Sequence, residues 1–163
     1  MAPAKPAPTK AWFIFTGPDG DFTLSFPSEP HRILDTQGQK TVIRAYKITT
    51  KDGTFFSVSY QDLGGDPNSK EANEFSQNYE KNAESSYKKR GEKVVQINRL
   101  AKNVAEAELW FTNKITGDNL HRWERAIIRN GRLYILGCGS IIGNVQSNKA
   151  ICRRFFDSMR LTY

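Results

Sequence analysis

Apolar residues along this chain switch between two spacings, and that switching limits the fold more than any other feature. From Ser69 to Arg90 the residues Ala72, Phe75, Tyr79, Ala83 and Tyr87 recur at helical spacing, with Glu71, Glu74, Lys81, Glu84 and Lys88 between them. Ser69 suits the N-cap, Glu71 and Glu74 suit the positive end of the helix dipole, and Lys88, Lys89 and Arg90 suit the negative end. Gly91 stands where a left-handed C′ residue is wanted. On both sides of this helix the spacing falls to two. Phe22-Thr-Leu-Ser-Phe26 alternates as a half-buried strand, and Pro27 and Pro30 end it. Ahead of it, Trp12–Thr16 is the first ordered stretch, and Gly17–Gly20 is a turn.

Two further β-rich runs, 42–49 and 55–60, flank Asp52-Gly53. That dipeptide predicts a two-residue type I′ hairpin with Lys47 opposite Val58 and Ala45 opposite Tyr60. Leu63-Gly-Gly-Asp-Pro67 closes the unit. After the helix, strands are expected at about 93–100, 105–115, 119–129 and 132–138. Asn130-Gly131 is the clearest hairpin turn, and Thr116–Asn119 marks another. A second helix, from about Ser147 to Met159, puts Ile151, Cys152, Phe155 and Met159 on one stripe. The order βββ-α-ββββ-α predicts an α+β fold, a mainly antiparallel sheet with helices packed on it.

With 163 residues the chain is one domain, large enough to bury about 68–70% of its unfolded surface without a metal or disulfide scaffold. Residues 1–11, rich in Ala and Pro, read as a flexible leader to a domain over 12–163. Such leaders often tether exported domains, so a periplasmic, envelope-anchored or secreted setting is expected, with the cytoplasm as the alternative. No run of apolar residues is long enough for a membrane-spanning helix. Cys138 and Cys152 read either as two buried thiols, the preferred reading, or as a disulfide closing a short loop.

The net charge of +7 is unevenly spread. Residues 1–118 carry 16 Lys and Arg against 15 Asp and Glu, whereas residues 119–163 carry 8 against 2. The basic character therefore belongs to the last third. Arg122, Arg125, Arg129, Arg132, Arg153 and Arg154 are the candidate contacts for an acidic protein partner. No aromatic–basic motif of a nucleic-acid reader accompanies them.

Chemistry-bearing patterns are weak. Gly137-Cys-Gly-Ser-Ile-Ile-Gly143 precedes a helix, but Ile142 stands where a dinucleotide loop needs its last glycine. It reads as a flexible strand-to-helix turn. Cys138 or Ser140 as a nucleophile would need a base, and only His31 and His121 are available. Two His and two Cys at 31, 121, 138 and 152 have no metal-ligand spacing. Trp110, Trp123 and Tyr134 fall in adjacent strands. A two-residue turn at Gly117-Asp118 would set Trp110 against Arg125 as a cation–π pair, and the Asn130-Gly131 register sets Cys138 opposite Trp123.

Phe22-Thr-Leu-Ser-Phe26-Pro27 with Pro30, Tyr46 and Tyr60 running to Asp62, Asn130-Gly-Arg-Leu-Tyr134-Ile-Leu, and Arg154-Phe-Phe-Asp-Ser158-Met-Arg-Leu161 together span nearly all of residues 20–161. This set resembles the PsbP-like αβα-sandwich superfamily, especially its small DcrB-like bacterial envelope domains. Many bacterial relatives carry Gly-x-Pro-Gly-x-Glu after the long helix. Here Asn103-Val-Ala-Glu-Ala-Glu108 stands in that place, so no role of that turn carries over. The resemblance implies a non-catalytic binding or assembly domain, and a monomer without a cofactor is expected. A small-molecule or lipid carrier, with a pocket between sheet and helix, is the alternative.

Overall fold

The computed structural model describes residues 10–36, 38, 42–63, 70–141 and 145–162. The expected N-cap Ser69, the Gly64–Pro67 turn, Ile142, Gly143 and most of the 1–11 leader lie outside the described residues. The elements are β1 (Phe13–Thr16), β2 (Phe22–Phe26), β3 (His31–Asp35), β4 (Ile43–Thr49), β5 (Phe55–Asp62), α1 (Lys70–Lys89), β6 (Lys93–Ala101), β7 (Val104–Thr112), β8 (Asn119–Arg129), β9 (Arg132–Ile141), α2 (Val145–Asp157) and β10 (Arg160–Leu161).

Seven strands form one sheet in the order β3-β4-β5-β9-β8-β7-β6, and β1-β2-β10 form a second. Every pairing is antiparallel. One face of the large sheet receives α1 through Tyr87, Ala83, Ala107, Leu109, Val94 and Ile97. The other receives α2 and the small sheet, and here the main core forms. Phe22, Leu24 and Phe26 of β2 meet Phe56 and Val58 of β5, Leu136 of β9 and Phe155 of α2, all essentially inaccessible to water. Edge-to-face rings run through it, Phe26 with Phe155 at 5.0 Å and Phe22 with Tyr60 at 5.5 Å. The α+β sandwich expected from the spacing is thus present.

The stretch after the first helix follows the expectation closely. Asn130 and Gly131 both take positive φ, 51° and 72°, as a type I′ turn requires. They fix the β8–β9 register that puts Trp123 opposite Cys138. Helix α1 ends in a Schellman motif at Gly91 (φ 77°), with Glu92 N–H donating to the Tyr87 carbonyl at 3.0 Å and Gly91 N–H to that of Lys88 at 3.1 Å.

Five expectations are corrected. First, five described strands, not three, precede α1: 13–16 forms the edge strand β1, and β3 begins directly after Pro30. A two-residue β10 also follows α2. Second, the β4–β5 hairpin is offset by one residue, so Lys47 faces Ser57 and Ala45 faces Ser59. Type I′ needs positive φ at both central residues, but only Gly53 has it. The loop instead closes with Gly53 N–H on the Thr50 carbonyl and Thr50 N–H on that of Thr54. Asp52 accepts from the Thr54 N–H and the Thr50 hydroxyl, contacts that hold its carboxyl below the usual range. A one-residue slip exchanges faces: the observed register pairs Tyr46 with Val58 in the core and sends Lys47 to solvent.

Third, β7 stops at Thr112, and Asn113–Asp118 form a longer turn in which Gly117 N–H donates to the Asn113 carbonyl at 2.7 Å. Trp110 consequently lies opposite His121, and Arg125 opposite Glu106. Fourth, β9 runs on through Ile141, so Gly137 and Gly139 are strand residues and not part of a loose turn. A Cβ on Gly139 would land on the His121 carbonyl oxygen and lie 2.9 Å from the Arg122 Cα. Fifth, the cysteines are joined. Cys138 and Cys152 form a disulfide with Cα atoms 5.4 Å apart, tying α2 to β9 in the core.

Candidate functional site

The arginines singled out by charge counting do not form one patch, because the strand alternation and the two helices divide them. Arg122 lies on the α1 side of β8. It donates to Glu92 at 2.6 Å and Glu124 at 2.7 Å, and Tyr87 donates its hydroxyl to Glu124 at 2.8 Å. Arg125 lies on the α2 side and is held by Glu106 at 2.6 Å and Asp157 at 2.9 Å. Arg132, where β9 begins, reaches three carboxylates: Asp62 at 2.7 Å, Asp19 at 2.9 Å and Asp21 at 3.0 Å. Asp21 is buried and also accepts from the Tyr134 hydroxyl. These three guanidinium groups are engaged inside the molecule.

The remaining three face outward. Arg129 is exposed at the end of β8, beside a mixed-charge pocket of about 220 Å³ lined by Asp19, Asp21, Asp62, Arg132 and Tyr134. Arg153 and Arg154 project from α2 together with Lys149. Arg153 touches Glu106 only at 3.5 Å, and Arg154 lies over the Trp12 ring at 4.0 Å. Helix periodicity explains this ridge: Cys152, Phe155 and Phe156 turn inward and leave 149, 153 and 154 exposed, with 149 and 153 on the flank beside the sheet.

Sequence reasoning missed a second feature, on the sheet beneath α2. His121, 2% exposed, is stacked on Trp110 (centroids 4.5 Å apart) and lies 4.1 Å from Trp123. Its Nε2 is 2.7 Å from Glu108 Oε1. Ser140 is its cross-strand neighbour on β9, and His121 Nδ1 has no hydrogen-bond partner among the described residues. The Trp123 indole Nε1 is likewise buried and unpartnered there. Adjacent to Trp123, a cleft of about 70 Å³ opens between α2 and strands β6 and β7, with Gln96, Asn98, Glu106, Glu108, Lys149 and Arg153 among its walls. Residue spacing could have paired Glu108 with His121 only if the true β7–β8 turn had been known. The Arg125–Trp110 contact expected from the shorter turn is absent, and Arg125 lies instead 5.4 Å from the centre of the Phe156 ring.

Among the described residues no cluster of three or more His, Cys, Asp or Glu could hold a metal ion. No described helix is long and apolar enough to cross a membrane. The spaces beneath α1 are about 10 Å³ each, and a lipid-sized ligand needs several hundred.

No protein-family model matches the sequence, and no curated protein does. Solved structures do match in fold. The solution structure of PsbP (CyanoP) from the cyanobacterium Synechocystis sp. PCC 6803 superimposes with a TM-score of 0.59 at 8% identity, covering 99% of this chain and 98% of that one. A Pseudomonas aeruginosa protein of unknown function, described as a candidate regulator, gives 0.56 at 11% identity over 91% and 96% of the two chains. A crystal structure from Bacteroides thetaiotaomicron gives 0.58 at 12% identity. It covers 94% of this chain, which spans only half the length of that protein. The chain therefore has the PsbP-like α+β fold, as its residue pattern led us to expect.

Proposed function

We propose that this domain is a non-catalytic binding or assembly module of the bacterial envelope whose acidic protein partner docks on the outer ridge of α2. One observation carries this reading: of the six arginines in the basic last third, Arg153 and Arg154 stand exposed on one helix beside Lys149, whereas Arg122, Arg125 and Arg132 are engaged by internal carboxylates. Arg129 is also exposed, but it stands beside the Asp19, Asp21 and Asp62 carboxylates, which would repel an acidic surface. The buried Cys138–Cys152 disulfide supports an oxidising compartment, as an envelope domain would occupy. A lipid carrier is disfavoured by the small size of the cleft beside α2, about 70 Å³, and of the spaces beneath α1, about 10 Å³ each.

The test is a pull-down from extract of the source organism, with nuclease treatment and stepwise salt elution, using the wild-type domain and an Arg153→Glu/Arg154→Glu variant. One nuclease-resistant protein, released at moderate salt and lost with the variant, is the expected result. Equal retention of that protein by both would overturn the placement on α2. Recovery of nucleic acid alone would overturn the protein-partner reading.

A further inference from the structure

We propose that the cleft between α2 and the β6–β7 edge is a binding site for the zwitterionic head of a small α-amino acid. The inference goes beyond the docking reading above and shares Lys149 and Arg153 with it.

One buried polar group points to a ligand. Trp123 is 8% exposed, lines the cleft, and has an indole N–H without a partner among the described residues. A buried donor left unsatisfied costs about 1–3 kcal/mol, so a native fold that keeps one next to an opening has a use for it. Volume then limits the ligand. The cleft holds about 70 Å³, roughly half of the ~150 Å³ that accommodates a benzene ring. That suits a head group of a few heavy atoms with its remainder outside, and excludes an enclosed sugar or aromatic ring.

Charge decides the chemistry. On the helix side stand two cations, Lys149 and Arg153. On the strand side stand two carboxylates, Glu106 and Glu108, with the amides of Gln96 and Asn98 at the rim. Glu108 is fixed by His121 at 2.7 Å and Glu106 by Arg125 at 2.6 Å, so both carboxylates are held in place. A simple anion would meet those carboxylates, and a simple cation would meet the lysine and arginine. A carboxylate and an ammonium on adjacent atoms satisfy both walls, with the carboxylate toward Lys149, Arg153 and the Trp123 N–H and the ammonium toward Glu106 and Glu108. Phe156 supplies the apolar contact beside the ligand's α-carbon.

The test is an amide and indole NMR titration of the oxidised full chain with glycine and L-alanine, and with acetate and methylamine as half-ligands. The Trp123 indole N–H resonance is expected to move saturably with the amino acids. The half-ligands, and a Lys149→Met variant given glycine, should bind about tenfold more weakly, the loss of roughly one charge-assisted hydrogen bond. Lys149 is exposed, so the variant keeps the core intact. No saturable shift at Trp123 would overturn the proposal. So would acetate binding as tightly as glycine, which would make the cleft a plain anion site, or glycine binding unchanged in the variant.

Discussion

Arg132 shows how one side chain can be worth more than its exposed contacts. It links the β1–β2 turn (Asp19, Asp21), the end of β5 (Asp62) and its own strand β9, so it joins the small sheet to the large one. The three arms are unequal. Asp19 and Asp62 are 43% and 49% exposed and contribute little, whereas Asp21 is 8% exposed and would be left charged and buried. Arg132→Met should therefore destabilise the domain by about 3 kcal/mol, the low end for breaking a buried pair. Asp62→Asn should cost less than about 1 kcal/mol. Urea denaturation of the two variants checks this, and equal effects would mean that the Asp21 arm is not special. Counting residues located the arginines but not this hub, because Asp19, Asp21, Asp62, Glu92 and Glu106 all come from the first 118 residues. Those acids look balanced in sequence, and only the pairing of distant strands brings them to Arg122, Arg125 and Arg132.

At the level of elements, α2 is held by its apolar face and by one covalent bond. Phe155 and Phe156 pack into the main core, and Cys152 reaches Cys138 on β9. A Cys138→Ala/Cys152→Ala variant loses a crosslink closing a loop of about 15 residues, which the chain-entropy model values at about 3 kcal/mol. Its urea midpoint is expected to fall accordingly, with the native circular-dichroism spectrum retained because the phenylalanine contacts remain. An unchanged midpoint would show that the bond is incidental to stability. The disulfide could not be read from spacing, since a 14-residue separation suits bonded and free thiols equally. The strands divided along similar lines. β2, β5, β7 and β8 were legible because one face is buried and the apolar residues alternate accordingly, and β9 because its apolar residues cluster. β3 was not, because all five of its residues are exposed on the sheet edge and His31-Arg-Ile-Leu-Asp35 carries no period of two. The β4–β5 register failed for a smaller reason: Asp-Gly suits both a two-residue turn and the longer Thr50–Thr54 loop, and the choice reverses which face of β4 is buried.

Over the whole molecule, tyrosines are distributed through both cores, and this gives the domain a specific alkaline limit. Burial pushes Tyr60, under the small sheet, and Tyr79, on α1, from 10.0 up to about 12. Tyr87 and Tyr134 move the same way, also through burial, with Glu124 and Asp21 adding to it. In the unfolded chain each hydroxyl ionises near its ordinary value of about 10. Below that pH both states keep the proton, and the contribution of these groups to stability is fully present. Between about 10 and 12 the unfolded chain loses protons that the folded chain retains, so stability falls as pH rises. Each raised hydroxyl therefore costs the folded state stability once the unfolded chain begins to ionise, and four groups act in the same direction. Urea midpoints should therefore drop steeply above pH about 10, and tyrosinate absorbance from these side chains should emerge with unfolding and not before it. Tyr79→Phe removes one of the four ionisations and should make the decline shallower, since the phenyl ring keeps the packing and cannot lose a proton. Tyrosinate absorbance rising near pH 10 in the still-folded protein would show instead that water reaches these hydroxyls, and that the sheet and its helices are less tightly closed than their contacts imply.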